Sequence, residues 1–327
     1  MSTRKYLIAV IIALLMTSCG VQKKLVDTSQ VFVPEEGGIT FVRITNEENE
    51  QLIVPNILYD GTRLVWWANP YFAVSKDATK YAYIGSHNGH NNIFVKLFSA
   101  SKGSQQRTFN NTAQDVCFSP DGNTICFSQY NYPNNTLAIT SANQGSVVQQ
   151  VTSGSVRDYA PCYSTDGKLI FFTRAEGVHY SIWSYNVENG IFSNYCYGLT
   201  PCPLNNEEFL CSRKNSQNNY EIWRINYVKG TESLILSQEN RSFTTASLSP
   251  DGNWILFTAN TQKKPNIPEN LDIYVVRSDG SRLTQLTYHH GHDLSPVWSP
   301  DGKSIYFLSQ RGSNKGIYNI WKMNFNL

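Results

Sequence analysis

The 327-residue sequence lacks several features that would point directly to chemistry. It contains no Gly-x-Ser-x-Gly segment, which argues against the nucleophile elbow of α/β-hydrolases. No glycine-rich loop follows a strand and opens a helix, so a phosphate-binding loop is not indicated. No Cys-x-x-Cys pair occurs among its seven cysteines, so a zinc ribbon is not supported. These absences favour a binding protein over an enzyme, with no cofactor and no metal.

Two further absences limit the fold and the partners. The formal net charge is only +2, and it falls to zero if an N-terminal segment carrying Arg4 and Lys5 is removed. Nucleic-acid binding needs a basic stripe, so we expect no nucleic-acid partner. Beyond the first twenty residues, no stretch has a sustained helical period, and there is no second long apolar run. We therefore expect an all-β protein.

A short turn phrase, Ser-Pro-Asp-Gly or Ser-Thr-Asp-Gly, recurs between pairs of short apolar runs. Proline presets φ at the first central position, aspartate bonds to its own backbone, and glycine accepts the left-handed conformation that closes a short loop. The phrase therefore predicts a β-hairpin. Its four copies occupy residues 119–122, 164–167, 249–252 and 299–302.

The spacing of the turn aspartates predicts the number of repeats. Asp121 precedes Asp166 by 45 residues, and Asp251 precedes Asp301 by 50. The longer gap between Asp166 and Asp251 holds a degenerate copy at 201–206, and an earlier copy surrounds Asp77. Each interval contains four short strands rich in β-branched and aromatic residues. Four strands every ~40–45 residues indicate propeller blades, so we expect a six-bladed β-propeller over residues 38–327.

Two segments near the C-terminus carry a family resemblance. Residues 271–287 and 293–307 resemble the WD-like repeat of TolB-type propellers. The resemblance extends from about residue 70 to the end, and it implies a monomeric platform for an envelope protein or peptide partner. TolB-type proteins carry an α/β domain before the propeller, whereas only about fifty residues precede the first repeat in this sequence. No α/β segment follows either, so the catalytic half of prolyl-oligopeptidase-like enzymes is missing.

The ends of the chain predict how the propeller closes. The last repeat stops after its third strand at 319–325 and lacks an outer strand. Residues 39–45 or 51–54 are strand-like, and we expect one of them to supply the N-terminal strand that closes the ring. Alternatively, residues 59–62 begin a rudimentary seventh blade.

The N-terminus resembles a bacterial lipoprotein signal. Basic Arg4 and Lys5 precede an apolar run at 6–16 that is too short to span a bilayer, and small residues then lead to Cys19. The resemblance implies a signal peptide at 1–18, a lipidated and palmitate-bearing Cys19, and a tether at 19–37. The protein would be anchored by lipid in the bacterial cell envelope, on the outer membrane facing the periplasm. The alternative is an ordinary cleaved signal with an incidental cysteine.

Six cysteines follow Cys19. Cys117 with Cys126, and Cys202 with Cys211, would pair across their hairpins if the strand registers match. However, Cys117, Cys162 and Cys202 occupy the same slot of separate repeats, which favours small buried thiols.

The most concentrated polar cluster contains His289, His290, His292 and Asp293, on the loop that enters the last repeat. Such loops lie at one mouth of a propeller channel. Oligogalacturonate lyases have a similar architecture, in which channel histidines hold a divalent metal. A metal-dependent lyase or a glycan binder is therefore the alternative function, although local histidine-rich loops are usually polar surface.

A second group of predicted binding residues lies at the same mouth. Asp158 and Asp293 each stand eight residues before a turn aspartate, so they occupy equivalent slots. Arg157, Arg241 and Asp158 would form a polar funnel for a peptide or a sugar. The structural alternative is that the aspartates cap backbone N–H groups and the arginines are solvated.

Overall fold

The structure is a computed structural model. It describes residues 30–33, 38–45, 50, 52–54, 58–60, 63–66, 70–100, 103–109, 111–144, 147–261, 268–313 and 317–327. All regular secondary structure in these residues is β-strand, which confirms the predicted all-β class. Within them, no helix has the length and apolar character needed to cross a membrane. The predicted signal peptide and Cys19 lie outside the described residues.

The strands are numbered in chain order. They are β1 (Gln30–Val33), β2 (Ile39–Arg43), β3 (Leu58–Asp60), β4 (Arg63–Trp66), β5 (Phe72–Val74), β6 (Lys80–His87), β7 (His90–Leu97), β8 (Gln105–Gln106), β9 (Ala113–Phe118), β10 (Thr124–Asn131), β11 (Asn134–Ser141), β12 (Val148–Gln150), β13 (Arg157–Tyr163), β14 (Leu169–Glu176), β15 (His179–Asn186), β16 (Phe192–Tyr197), β17 (Leu199–Pro203), β18 (Glu208–Lys214), β19 (Tyr220–Asn226), β20 (Thr231–Leu236), β21 (Phe243–Leu248), β22 (Trp254–Thr261), β23 (Asn270–Arg277), β24 (Thr284–Gln285), β25 (Asp293–Trp298), β26 (Ser304–Ser309) and β27 (Asn319–Asn324).

From β5 onward, consecutive strands pair antiparallel in successive units. Units 1, 2 and 3 are β5–β8, β9–β12 and β13–β16, and units 4 and 5 are β17–β20 and β21–β24. Unit 6 contains β25–β27 together with β2 and β1. Units 2 and 3 share one sheet through a single parallel bridge between Asn135 and Arg157. We call the first strand of each unit, β5, β9, β13, β17, β21 or β25, its inner strand.

The repeated phrase forms the predicted turn between the first two strands of a unit. Ser119 Oγ donates to Asp121 Oδ1 at 2.5 Å, and the same hydroxyl accepts the Thr124 N–H at 2.9 Å. Gly122 has φ +70°, the left-handed region that favours glycine. These bonds are local, so they depend only on residues in and next to the phrase. The bond from Ser119 is the largest cause of the lowered pKa of the Asp121 carboxyl. The same serine–aspartate bond recurs at Asp77, Asp166, Asp251 and Asp301.

Unit 4 closes its first hairpin differently. Leu204 replaces the serine, and Asn205 Oδ1 accepts the N–H groups of Glu207 and Glu208 at 2.8 and 2.9 Å. The inner strand contains Pro201 and Pro203, which donate no N–H to a ladder. Unit 4 is therefore the degenerate repeat that the sequence predicts.

The N-terminal segment pairs with the last unit. β2 lies antiparallel to β27, with Val42 opposite Lys322, and β1 pairs on the other side of β2. Thr45 Oγ1 accepts the Ile320 N–H at 2.9 Å. Of the two candidate segments, 39–45 thus supplies the strand beside β27, and part of the expected tether forms β1. The hairpin β3–β4 is a separate two-stranded sheet.

The core lies between neighbouring units, whose flat faces carry aromatic and aliphatic side chains. Trp321, Phe41 and Phe307 are fully buried where β2 meets the last unit, and the Phe41 and Phe307 ring centroids are 5.9 Å apart. The first strands of all the units contribute residues to one cavity, which is the site described next.

Candidate functional site

A cavity of ≈ 410 Å³ is lined by all the inner strands. Each inner strand contributes the residue two positions before its turn serine or, in unit 4, before Leu204. These positions are half-buried and carry short side chains, so they leave space on the axis. They are Ala73, Cys117, Cys162, Cys202, Ser247 and Val297.

The lining of this central cavity is mostly apolar. Phe118, Leu248 and Trp298 contribute the large surfaces, and Lys76 is the one described lining residue with a permanent charge. Cavities of a few hundred Å³ with apolar walls and few polar groups suit the side chains of a ligand or partner segment. The arrangement favours binding of an apolar group with a negative charge close to Lys76.

A repeated backbone bulge shapes the cavity wall. In units 3 to 6, the pairing of the inner strand skips two residues, and the first of them has a positive φ between 46° and 55°. A non-glycine residue in this region costs roughly 1–2 kcal/mol. These four residues line the cavity and are Ala160, Thr200, Thr245 and Ser295.

Neighbouring units hold two of these bulges in place. Asp115 Oδ2 in unit 2 accepts the Ala160 N–H of unit 3 at 2.7 Å, while its Oδ1 accepts the Ser128 N–H. Thr173 Oγ1 accepts the Thr200 N–H of unit 4 at 2.9 Å. Burial raises the pKa of the Asp115 carboxyl to about 6, although both N–H groups oppose this. Sequence reasoning missed the bulges, for which the recurring prolines at 161, 201 and 296 are the available signal.

The predicted site residues lie away from this cavity. Arg157, Asp158, Arg241 and the His289–Asp293 loop come at or before the start of the inner strands, whereas the cavity is lined by the residues that follow. None of these predicted residues is among those that line it. That these residues bind a partner stays a prediction, and it concerns the end of the inner strands that lies away from the cavity.

Asp158 and Asp293 occupy equivalent positions, as predicted from their spacing, and both are fully buried. Arg174 donates to both carboxylate oxygens of Asp158, at 2.8 and 3.0 Å. Arg311 donates to Asp293 Oδ2 at 2.6 Å, and burial raises the pKa of the Asp293 carboxyl. Each aspartate thus holds an arginine, which for Asp158 lies on the next strand and for Asp293 lies two residues beyond the end of β26, and this corresponds to a structural role.

Those two arginines lie against aromatic rings. The Arg174 guanidinium carbon is 4.6 Å from the Trp183 ring centroid, and that of Arg311 is 3.8 Å from Phe41. The second contact involves the N-terminal strand, so the Asp293–Arg311 pair also supports the junction of β2 with the last unit. Such cation–π contacts strengthen when desolvated.

Arg157 and Arg241 are partly exposed and are held by different partners. Arg157 donates to the Gly177 carbonyl at 3.2 Å, and Arg241 donates to Gln238 Oε1 at 3.3 Å. The Arg241 guanidinium also lies 5.2 Å from the Tyr274 ring centroid. They lie on different units, and the described contacts do not join them to Asp158 in one funnel.

Two hydrogen bonds to backbone N–H groups hold the histidine loop in place. His292 Nδ1 accepts the Leu271 N–H at 3.1 Å, and His289 Nδ1 accepts the Gly291 N–H at 3.1 Å. Burial lowers the pKa of the His292 imidazole to about 4, so it is neutral at pH 7. His290 is exposed. Contrary to the expectation of a uniformly polar surface loop, His292 therefore has a structural role.

Among the described residues, no group of three or more His, Cys, Asp and Glu side chains is arranged to hold a metal ion. The six cysteines after Cys19 are free thiols. Cys117 lies opposite Cys126 in the ladder, but Cys202 lies opposite Leu210 and not opposite Cys211. The favoured prediction of thiols agrees with the structure, and the proposed Cys202–Cys211 register does not.

Comparison with known proteins agrees with this architecture. The family described as the TolB beta propeller domain matches residues 39–268, which is more than two thirds of the chain. This chain belongs to the TolB β-propeller family. A TolB homolog from Chlorobium luteolum is 28% identical to the chain over 134 residues. The match covers 30% of each protein, so the chain aligns with only a minor part of this relative.

Solved structures show the same TolB-type fold at low identity. TolB from Acinetobacter baumannii superimposes with a TM-score of 0.56 and 19% identity, over 72% of this chain and 59% of that one. An oligogalacturonate lyase from Vibrio parahaemolyticus gives a TM-score of 0.60 and 11% identity, over 88% and 94%. At these identities the likeness shows a shared propeller fold and not a shared activity.

Proposed function

We propose that this TolB-family chain is a cell-envelope lipoprotein whose propeller binds a protein or peptide partner. The observation that carries the proposal is the central cavity, because every inner strand contributes a short side chain to it and its walls are mostly apolar. The family membership supports a binding platform, and relatives named as proteins of the Tol-Pal system support an envelope location.

We propose that units 1 to 6 are six blades and that β2 closes the ring. The pairing of β2 with β27 supports this, because it joins the first and last described segments of the propeller in one sheet. Closure of this kind protects the exposed strand edges that an open array of units would leave at its two ends. The proposed layout is a signal peptide at 1–18, a tether beginning at Cys19, and a monomeric propeller from residue 38.

The proposed ligand is an extended segment of the partner that inserts an apolar side chain into the central cavity. Trp298 and Leu248 would contact that side chain, and Lys76 would pair with a carboxylate of the same segment. The left-handed bulges support this role, since strained backbone often accompanies functional sites.

Site-specific photo-crosslinking tests the proposal. A photoreactive residue would replace Val297 in the cavity, His290 at the opposite end, or Val228, an exposed valine on the turn after β19. In intact cells we expect one discrete protein adduct from position 297 and none from 228. Adducts from 290 alone would move the binding site to the histidine loop, and equal adducts from all positions would contradict a defined site.

The lyase alternative has one observation in its favour, the fold likeness to an oligogalacturonate lyase. The described histidines do not converge with other ligands, and the Nδ1 atoms of His289 and His292 accept the N–H groups of Gly291 and Leu271. Stoichiometric divalent metal in the purified protein, with cleavage of uronic-acid oligomers, would replace the scaffold proposal with this one.

A further inference from the structure

The boundary between units 3 and 4 combines a large aromatic contact with a weak inner strand. Phe171 and Tyr195 of unit 3 pack on Phe209 and Tyr227 of unit 4, with ring centroids 5.2 to 6.1 Å apart. Unit 4 lacks the Ser–Asp turn, and its inner strand carries two prolines. Unit 4 therefore lacks the local turn bonds that the other units share, and it packs on unit 3 through a large aromatic contact.

Two cysteines meet on the outer side of this boundary. Cys196 lies on β16 of unit 3, and Cys211 lies on β18 of unit 4, where both belong to the same buried cluster as Phe171. The two thiols are near enough to affect each other's pKa, which Cys211 lowers for Cys196 and Cys196 raises for Cys211. A Cβ on Gly198 would lie 3.2 Å from Cys211 Sγ, so the absence of a side chain there gives this sulfur its position beside β16.

The Cys196 thiol also has a favourable environment for reaction. The neighbouring Cys211 thiol and Arg213 guanidinium lower the pKa of Cys196 to about 7, against the effect of burial. Glu232, which pairs with Arg213, acts in the opposite direction. Cys196 is partly exposed, so a reagent can reach it.

Two further cysteines meet on the inner side of the same boundary. Cys162 lies on β13 of unit 3 and Cys202 occupies the equivalent slot on β17 of unit 4, and each thiol affects the pKa of the other. Both line the central cavity and are partly exposed. Unit 3 and unit 4 thus face each other through one thiol pair near the axis and one near the outer strands.

We propose that these pairs are sites of disulfide formation, Cys196 with Cys211 and Cys162 with Cys202, which together fasten the degenerate unit 4 to unit 3. A disulfide constrains the unfolded chain more when it closes a longer loop. The two bridges would close loops whose ends are fifteen and forty residues apart in the sequence.

The oxidant is another disulfide, either of an oxidoreductase or of oxidised glutathione. The Cys196 thiolate attacks one sulfur of that disulfide, forms a mixed disulfide and releases one thiolate. Cys211 then loses its proton to solvent, and its sulfur attacks Cys196 Sγ and displaces the second thiol. Two protein thiols are oxidised, one S–S bond forms, and the oxidant is reduced to two thiols. The same steps apply to Cys162 and Cys202.

Peptide mapping of the full-length protein tests the proposal. The folded protein is treated with oxidised glutathione, free thiols are blocked, and linked peptides are identified by mass spectrometry. We expect Cys196 joined to Cys211 and Cys162 joined to Cys202. Alkylation of all these thiols after oxidation, or links between other partners such as Cys117 and Cys162, would overturn the proposal.

Thermal unfolding of oxidised and reduced samples of the same protein supplies the second readout. Oxidation should raise Tm by about 3 °C or more in the wild type. The double variant Cys162→Ser/Cys196→Ser should lose this difference, even if its own Tm is lower. Cys117→Ser is the matched control, because Cys117 contacts Cys126 within one hairpin, and it should keep the difference. An unchanged difference in the double variant would contradict the assignment.

Bridging in the cell rests on the proposed envelope location, because disulfides persist in oxidising compartments. Thiols blocked at the moment of lysis report the state in the cell. Bridged protein supports both the inference and the location. Reduced protein that forms the same bridges after purification supports the inference and contradicts the location.

Discussion

At the residue scale, the polar side chains of the predicted site divide into those that hold the fold and those that face solvent. Asp158 and Asp293 are buried against arginines, and His292 accepts a backbone N–H. His290 and Arg157 are more accessible. Substitutions at adjacent positions should therefore affect stability differently, according to whether the side chain is buried or exposed.

Asp158→Asn should destabilise the protein strongly, because it leaves the Arg174 charge without its buried partner. We expect a loss of about 3 kcal/mol in the free energy of unfolding, measured with a chemical denaturant. Glu232→Gln is the matched control. Glu232 also accepts hydrogen bonds from both terminal guanidinium nitrogens of an arginine, Arg213. Because the Glu232 side chain is 44% exposed, the loss of free energy of unfolding should stay below about 1 kcal/mol. Equal losses would contradict the structural role of Asp158.

His292 predicts a pH dependence of stability. Its folded pKa of about 4 lies below the value of roughly 6.5 for an unfolded histidine, so the unfolded chain binds more protons between these values. The contribution of His292 is therefore fully present above about pH 6.5 and is lost as the pH falls towards 4. His292→Asn keeps an acceptor for the Leu271 N–H and should flatten this part of the profile.

The control for that profile is His290→Asn, on the exposed neighbour, which should reproduce the wild-type curve. Denaturant melts at several pH values between 4 and 7 measure both variants. A His292→Asn profile as steep as that of the wild type would show that other groups cause the acid sensitivity.

At the element scale, equivalent turns of different units are not equally tolerant of substitution. Gly230 and Gly280 both follow the third strand of their units with φ of +66° and +86°. A Cβ at Gly230 meets no atom within 4 Å, whereas one at Gly280 lies 2.5 Å from the Ile235 carbonyl oxygen of unit 4. The turn of unit 5 therefore packs directly on the outer strand of the preceding unit.

Gly280→Ala should consequently cost more stability than Gly230→Ala. For Gly230→Ala we expect about 1 kcal/mol, the usual cost of a left-handed alanine. For Gly280→Ala we expect at least about 2 kcal/mol more, because the backbone of unit 4 must move. Free energies of unfolding of the two variants, measured under the same conditions, test this prediction. Similar values would show that the backbone at Ile235 can move away from position 280 at little cost.

The last strand should be indispensable. Deleting residues 318–327 removes Ile320, Trp321 and Met323, all at most 1% exposed, and leaves one edge of β2 and one edge of β26 unpaired. Each large buried side chain typically contributes ~2–5 kcal/mol, so the sum reaches the stability of an ordinary domain. We expect no cooperative thermal transition near that of the wild type. Deletion of only 326–327, both exposed, is the control and should leave Tm unchanged.

At the scale of the whole molecule, the described propeller contains no helix that could anchor it in a membrane. In our proposal, lipid at Cys19 attaches the protein to the envelope. Acyl chains contribute ~0.8 kcal/mol per buried CH₂, and two or three chains give stable anchoring.

Cys19→Ala should move the protein from the membrane fraction to the supernatant or leave it unprocessed. Fractionation and metabolic labelling with palmitate measure the change, and Cys117→Ala is a control for loss of a cysteine elsewhere. Continued labelling of the Cys19→Ala protein would contradict the lipoprotein proposal.

The features that depend only on neighbouring residues in the chain could be predicted from the sequence. Ser119, Asp121 and Gly122 make their turn with bonds that span at most five residues, so the phrase predicted every such hairpin and, through its spacing, the repeat. The all-β class followed from the same pattern, and the TolB-type fold followed from the family resemblance of residues 271–287 and 293–307. The equivalence of Asp158 and Asp293 was also visible in their spacing, although their burial was not.

The position of the site, in contrast, depends on contacts between the units and could not be predicted from the sequence. The cavity forms from side chains that are forty or more residues apart, such as Cys117, Cys162 and Cys202, and no local pattern shows which face of an inner strand they share. The bulge at Ala160 depends on Asp115 in another unit. His292 is neutral because units 5 and 6 pack around it. Burial and strand register are properties of contacts between units, and for that reason the sequence alone pointed to the histidine loop and not to the central cavity.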